Sequence, residues 1–119
     1  MSIDNELVFL TNDDGYTSKG LGILKVILAN IFNNFWVFAP SLNQSAKSQS
    51  ITINKRLLLK RIKNREFILN GTPTDCVIIG LEKLKQQKKK PTILFSGINQ
   101  GVNMGLDLLY SGTVAAARE

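Results

Sequence analysis

The segment Leu7-Val8-Phe9-Leu10-Thr11 is a run of large and β-branched residues that stops at Asn12-Asp13-Asp14-Gly15. A short apolar run closed by a glycine turn reads as a buried strand ending in a loop. The carboxyl ends of parallel strands are where open α/β sheets bind ligands. Two adjacent carboxylates, Asp13 and Asp14, repel each other at such a position, and burial worsens the repulsion. A cation relieves both costs, and hard oxygen donors suit Mg²⁺, Mn²⁺ or Ca²⁺. The same residues also make an ordinary solvated turn, so both readings stand on this segment alone.

Along its length the chain alternates between strand and helix signals. Glu6–Thr11 is the first strand. Gly20–Phe32 carries Leu21, Leu24, Ile27, Leu28 and Ile31 at helical spacing, with Asn33-Asn34 ending the helix. Phe35–Ala39 is a second short strand closed by Pro40. Ser50–Ile53, Arg56–Ile62 and Glu66–Leu69 read as strands or hairpin arms. Thr72-Pro73-Thr74-Asp75 opens a second helix, with Thr72 as N-cap, Pro73 in the first turn and Asp75 near the positive end of the dipole. That helix runs to about Leu84–Lys88. Thr92–Phe95 is a further strand, and a third helix begins at Val114. This order predicts an α/β fold: a Rossmann-like three-layer α/β/α arrangement with a mostly parallel sheet.

Composition narrows the class. An apolar fraction of 44% with 20% charged residues fits a globular protein of one domain. No apolar run approaches the roughly 18 residues of a membrane span, so no membrane partner is expected. The acidic N-terminus is unlike a signal peptide, which leaves the cytoplasm as the default location. The single cysteine, Cys76, lies in an apolar stretch and reads as a buried inert thiol rather than a reactive one. The net charge of +6 is concentrated around Lys55–Arg65 and Lys83–Lys90. Few aromatics are interleaved, so a solvated basic face is favoured over nucleic-acid binding.

Placed on the scaffold, three polar segments emerge at one sheet edge: residues 12–15, 40–50 and 96–105. A fourth, Tyr110-Ser111-Gly112-Thr113, leads into the third helix, where free backbone N–H groups suit an oxyanion. The chain has no histidine. That excludes a Ser-His-Asp triad and His-ligated zinc. The available chemistry is carboxylates, carboxamides, hydroxyls and helix N-termini, which fits an oxygen-ligated cation beside a phosphate.

The segments Leu10–Tyr16, Ala39-Pro40 through Gln44-Ser45, Ser48–Thr52, Gly71–Val77, Ser96–Gly101, Asn103–Asp107 and Tyr110–Val114, in this order, resemble the SurE family of stationary-phase survival proteins, divalent-metal-dependent 5′(3′)-nucleotidases. The resemblance implies a phosphomonoesterase that converts nucleoside 5′-monophosphates, and in some cases 3′-monophosphates, to nucleoside and phosphate. It implies one divalent cation, Mg²⁺ or Mn²⁺, held by Asp13, Asp14, Ser45 and Asn99, with Asp13 and Asp14 catalytic. It places Asn12, Asn103, Ser111, Gly112 and Thr113 at the phosphate. Asp75 also lies in a family motif, where helix capping is the simpler role; for Asp107 a structural and a site role are equally open.

Two departures are visible. Ala46 stands where the family usually has glycine, which strains the Ser45 loop if that position requires positive φ. Family members also run well past 119 residues, so the resemblance implies that residues 1–119 are the N-terminal part of one nucleotidase domain that forms a homo-oligomer at full length. The alternative is a non-catalytic remnant that binds metal or nucleotide without turnover. A haloacid-dehalogenase-type phosphatase needs Asp-x-Asp after the first strand, and Asn12 replaces the first of these. A phosphoacceptor domain needs an aspartate where Ser96 stands.

Overall fold

The computed structural model describes residues 3–42, 56–99 and 105–110. The chain order is β1 (Ile3–Thr11), α1 (Lys19–Ala29), β2 (Phe32–Pro40), β3 (Leu59–Lys63), β4 (Glu66–Leu69), α2 (Pro73–Gln86), β5 (Ile93–Asn99) and β6 (Gly105–Tyr110). Among the described residues six strands form one sheet in the order β3-β4-β2-β1-β5-β6. The inner strands β4, β2, β1 and β5 are mutually parallel, while β3 and β6 pair antiparallel at the two edges. The expected α/β fold with a mostly parallel sheet is therefore present.

The path of the chain places the helices. It leaves β1 through α1 for β2 on one side, then returns through α2 to β5 on the other side of β1. Right-handed crossovers running in opposite directions put their helices on opposite faces. Two cores result. One joins Leu7, Phe9, Trp36, Phe38, Phe67, Leu69 and Leu94 to Cys76 and Leu84 of α2. The other joins Val8, Leu10, Phe32, Val37 and Ala39 to Leu21, Leu24 and Leu28 of α1. On the α2 side Phe9, Phe38 and Phe67 stack with ring centroids 5.0 Å apart at each step. Each such pair adds ~0.5–1.5 kcal/mol beyond the burial of its area.

Several boundaries differ from expectation. The first helix ends at Ala29, with Asn30 as C-cap. Phe32, Asn33 and Asn34 are not its end but the start of β2, where Phe32 pairs with Ile3 and Asn34 with Leu7. Ladder pairing to β1 and burial of Phe32 outweigh the turn preference of the two asparagines. On α1 the sheet-facing residues are Leu21, Leu24 and Leu28. Ile27 and Ile31 fit the same helical period but are exposed, as are Ile23 and Val26. The strand expected to stop at Phe95 continues to Asn99, and residues 105–110, for which no strand was expected, form β6. Antiparallel pairing, with Ser96 opposite Asp107 and Asn99 opposite Gly105, extends the ladder through residues of low strand propensity. The arms expected at Arg56–Ile62 and Glu66–Leu69 are the β3–β4 hairpin. The arm at Ser50–Ile53 and the third helix lie outside the described residues. Among the described residues no helix is long and apolar enough to cross a membrane.

Candidate functional site

The carboxyl ends of β1, β2, β4 and β5 lie along one edge of the sheet. The connection reverses direction at β1, so the crevice between the ends of β1 and β5 is the topological switch point, where ligands bind in open α/β sheets. Asp13 and Asp14 follow directly from β1, and Asn99 ends β5. Thr11 and Ser96 pair across these two strands just below. Thr11 Oγ1 is a buried hydroxyl without a hydrogen-bond partner among the described residues.

The loop that carries the aspartates is held at several points. Asn12 is fully buried. Its Nδ2 donates to the Gly15 carbonyl and to Ser18 Oγ, both at 2.9 Å, and its Oδ1 accepts from the Gly15 N–H at 3.2 Å. Gly15 has φ of 102°, a conformation that glycine adopts without steric cost. Ser18 is the N-cap of α1 and accepts from the Leu21 N–H. The Tyr16 N–H donates to the Pro40 carbonyl at the end of β2. Tyr16 Oη donates to Glu66 Oε1 at 2.7 Å, and Lys25 pairs with the same carboxylate. Burial, reinforced by the hydrogen bond to Glu66, pushes the Tyr16 hydroxyl pKa above its ordinary value. Asp13 and Asp14, between Asn12 and Gly15, are half-buried.

At the same edge α2 begins in a reciprocal cap. Thr72 Oγ1 accepts from the Asp75 N–H at 3.1 Å, and Asp75 Oδ2 accepts from the Thr72 N–H at 2.9 Å. The capping role expected of Asp75 is present. Behind it Cys76 is fully buried, and burial, with the Asp75 charge adding to it, pushes its thiol from 9.0 up to about 12. The neutral thiol therefore contributes stability that is fully present below pH 9.0 and is lost as the pH rises toward about 12. We expect a thiol reagent at pH 8 to label the native chain on the order of 100-fold more slowly than the urea-unfolded chain. Absorbance at the released chromophore checks this; equal rates would place Cys76 at the surface.

The structure thus brings Asp13, Asp14 and the Asn99 end of β5 to one crevice. Asn12 sits beneath the pair with its carboxamide turned into the loop. Ser45, Asn103, Ser111, Gly112 and Thr113 lie outside the described residues. The sequence reading did not single out Ser18 or the Tyr16–Glu66–Lys25 contact. Ser18 had a signal, a hydroxyl residue three positions before the first buried leucine of a helix; the contact had none, because Glu66 lies far from both partners in sequence. Two adjacent half-buried carboxylates on a braced loop are a donor set that fits a hard divalent cation.

The family model for "Survival protein SurE" matches residues 8–119. The chain belongs to the SurE family. Among its relatives, "5'-nucleotidase SurE" of Neisseria gonorrhoeae is 48% identical over 112 residues, covering 94% of this chain and 44% of the relative. The protein of the same name from Brucella suis is 44% identical, with 94% and 43% covered. The crystal structure of the SurE protein from Aquifex aeolicus superposes with a TM-score of 0.72 at 36% identity, covering 83% of this chain and 40% of that one. The chain spans less than half the length of these SurE proteins.

Proposed function

We propose that this chain carries the metal-binding part of a phosphomonoesterase that hydrolyses nucleoside 5′-monophosphates, and 3′-monophosphates as well, to nucleoside and phosphate. The observation that supports it most is the braced Asp13-Asp14 loop at the switch-point crevice, in a chain whose relatives are named 5′-nucleotidases. Asp13 and Asp14, with Ser45 and Asn99, would hold one Mg²⁺ or Mn²⁺. When bound, such an ion polarises a phosphoryl oxygen and makes a coordinated water more acidic.

The chain's own residues do the rest. One aspartate accepts a proton from the attacking water as its oxygen bonds to phosphorus and the ester P–O bond breaks. The departing ribose oxygen takes up a proton from solvent water, and the aspartate returns its own proton to solvent. Donors at Asn103, Ser111, Gly112 and Thr113 hold the phosphoryl oxygens as charge builds on them. The setting proposed is a cytoplasmic homo-oligomer of the longer family protein. A second reading comes from the chain's spanning under half the length of its relatives: these residues bind metal and nucleotide without turnover.

Phosphate release from a nucleoside 5′-monophosphate, with Mn²⁺ or Mg²⁺ and then with a chelator, tests both. Turnover that the chelator abolishes is the expected result. Mn²⁺ binding without turnover selects the second reading. Turnover indifferent to chelation would overturn the metal assignment.

A further inference from the structure

We infer that Asn12 and Ser18 are positioning residues for the aspartate pair, and that Asn12 acts on the cation site through the loop rather than by touching phosphate. The inference rests on the proposed metal reading and adds to it the part of the fold that sets the geometry of the pair.

The hydrogen-bond inventory of one side chain carries the argument. A carboxamide has two N–H donors. Those of Asn12 go to the Gly15 carbonyl and to Ser18 Oγ, each at 2.9 Å. The assignment of the two amide atoms is fixed by their surroundings: the Gly15 N–H can only donate, so the atom facing it at 3.2 Å is the oxygen. With both side-chain donors committed and the residue fully buried, the Asn12 carboxamide has no N–H left for a phosphate oxygen. Its bonds instead close a ring from residue 12 to residue 15 around Asp13 and Asp14.

Ser18 anchors that ring. Its Oγ accepts from Asn12 and from the Leu21 N–H, and its own N–H donates to the Gly15 carbonyl at 3.2 Å. Asn12, Gly15 and Ser18 are thus one network joined to the N-terminus of α1. That helix is seated on the sheet by Leu21, Leu24 and Leu28. Adjacent like charges separate if the backbone lets them. This network denies the backbone that freedom, so both carboxylates reach one cation without a prior ordering step.

The test compares Mn²⁺ affinity by calorimetry in four variants. Asn12→Ala should raise the Kd at least about tenfold, and Ser18→Ala about three- to tenfold, since Ser18 supports one of the three bonds. Ser18→Thr keeps a hydroxyl and should restore wild-type affinity. Thr72→Ala is the matched control: it removes the N-cap of α2 at the same edge, lowers the melting temperature as Ser18→Ala does, and should leave the Kd unchanged. Without metal, the Asn12 side-chain amide protons should resist solvent exchange in the wild type and lose that protection in Ser18→Ala.

If Asn12→Ala does not fold, the Ser18→Ala and Ser18→Thr pair decides. Equal Mn²⁺ affinity in wild type and Ser18→Ala overturns the inference, as does an Asn12→Ala variant that loses affinity for inorganic phosphate but not for Mn²⁺. A wild type that binds no Mn²⁺ overturns the metal reading itself, a different failure that these measurements keep separate.

Discussion

Asp13→Asn and Asp14→Asn are each expected to weaken Mn²⁺ binding by at least about tenfold and to abolish metal-dependent phosphate release. Each substitution keeps the side chain's size and one oxygen but removes a full negative charge. A tenfold loss is ~1.4 kcal/mol, modest for a charged oxygen donor to a hard divalent cation. Bonds among Asn12, Gly15 and Ser18 shape the loop. Thermal melts without metal, run on both variants, separate a lost affinity from a lost fold. The experiment is calorimetric titration beside a phosphate-release assay. Unchanged affinity in both variants would remove the cation from this crevice and with it the proposed mechanism.

The second large effect concerns two glycines of α1 that differ in position by two residues and in consequence by sign. A Cβ on Gly20 would fall 2.1 Å from the backbone oxygen of Ile98 in β5, whereas one on Gly22 would meet nothing within 4 Å. Backbone cannot rotate away as a side chain can. Gly20→Ala therefore forces the helix off the sheet and should cost ~3 kcal/mol or more, at or beyond the upper end for overpacking. Gly22→Ala lies on an exposed helical surface and should gain ~0.5–1 kcal/mol. Urea or thermal unfolding of the two variants checks this, with Gly20→Ala expected to melt about 10 °C or more lower. Gly20 lies two residues beyond Ser18, so its substitution should also weaken Mn²⁺ binding while Gly22→Ala does not. Equal stability of the two variants would refute the seating of α1 against β5.

The parts of this molecule that were legible in the sequence are those governed by local chemistry. The Leu7–Thr11 run and the break at Asn12-Asp13-Asp14-Gly15 announced a buried strand with carboxylates at its end. The Thr72–Asp75 cap could be read because both partners sit within one helical turn. What was not legible depends on partners distant in sequence. Phe32-Asn33-Asn34 reads as a helix end until β1 is laid beside it. Residues 105–110 become a strand only against β5. Only the family resemblance placed Asn12 at the phosphate; its burial, and the geometry that occupies both side-chain donors, appear only once α1 has brought Ser18 alongside.

The central place of β1 also sets an order of assembly. Its partner β2 is near in the chain, with Ile3 beside Phe32, whereas the bond from Leu7 to Thr92 on its other side spans 85 residues. Closing the shorter loop costs less entropy, and a chain emerging from the ribosome offers β1, α1 and β2 first. The aspartate loop and its Asn12–Ser18 brace lie wholly inside that early unit. Strand β5 comes later in the chain and packs its backbone at Ile98 against Gly20. The carboxylate half of the crevice is therefore built before the wall that will face it, and the later strand is fitted to a site whose charge is already in place.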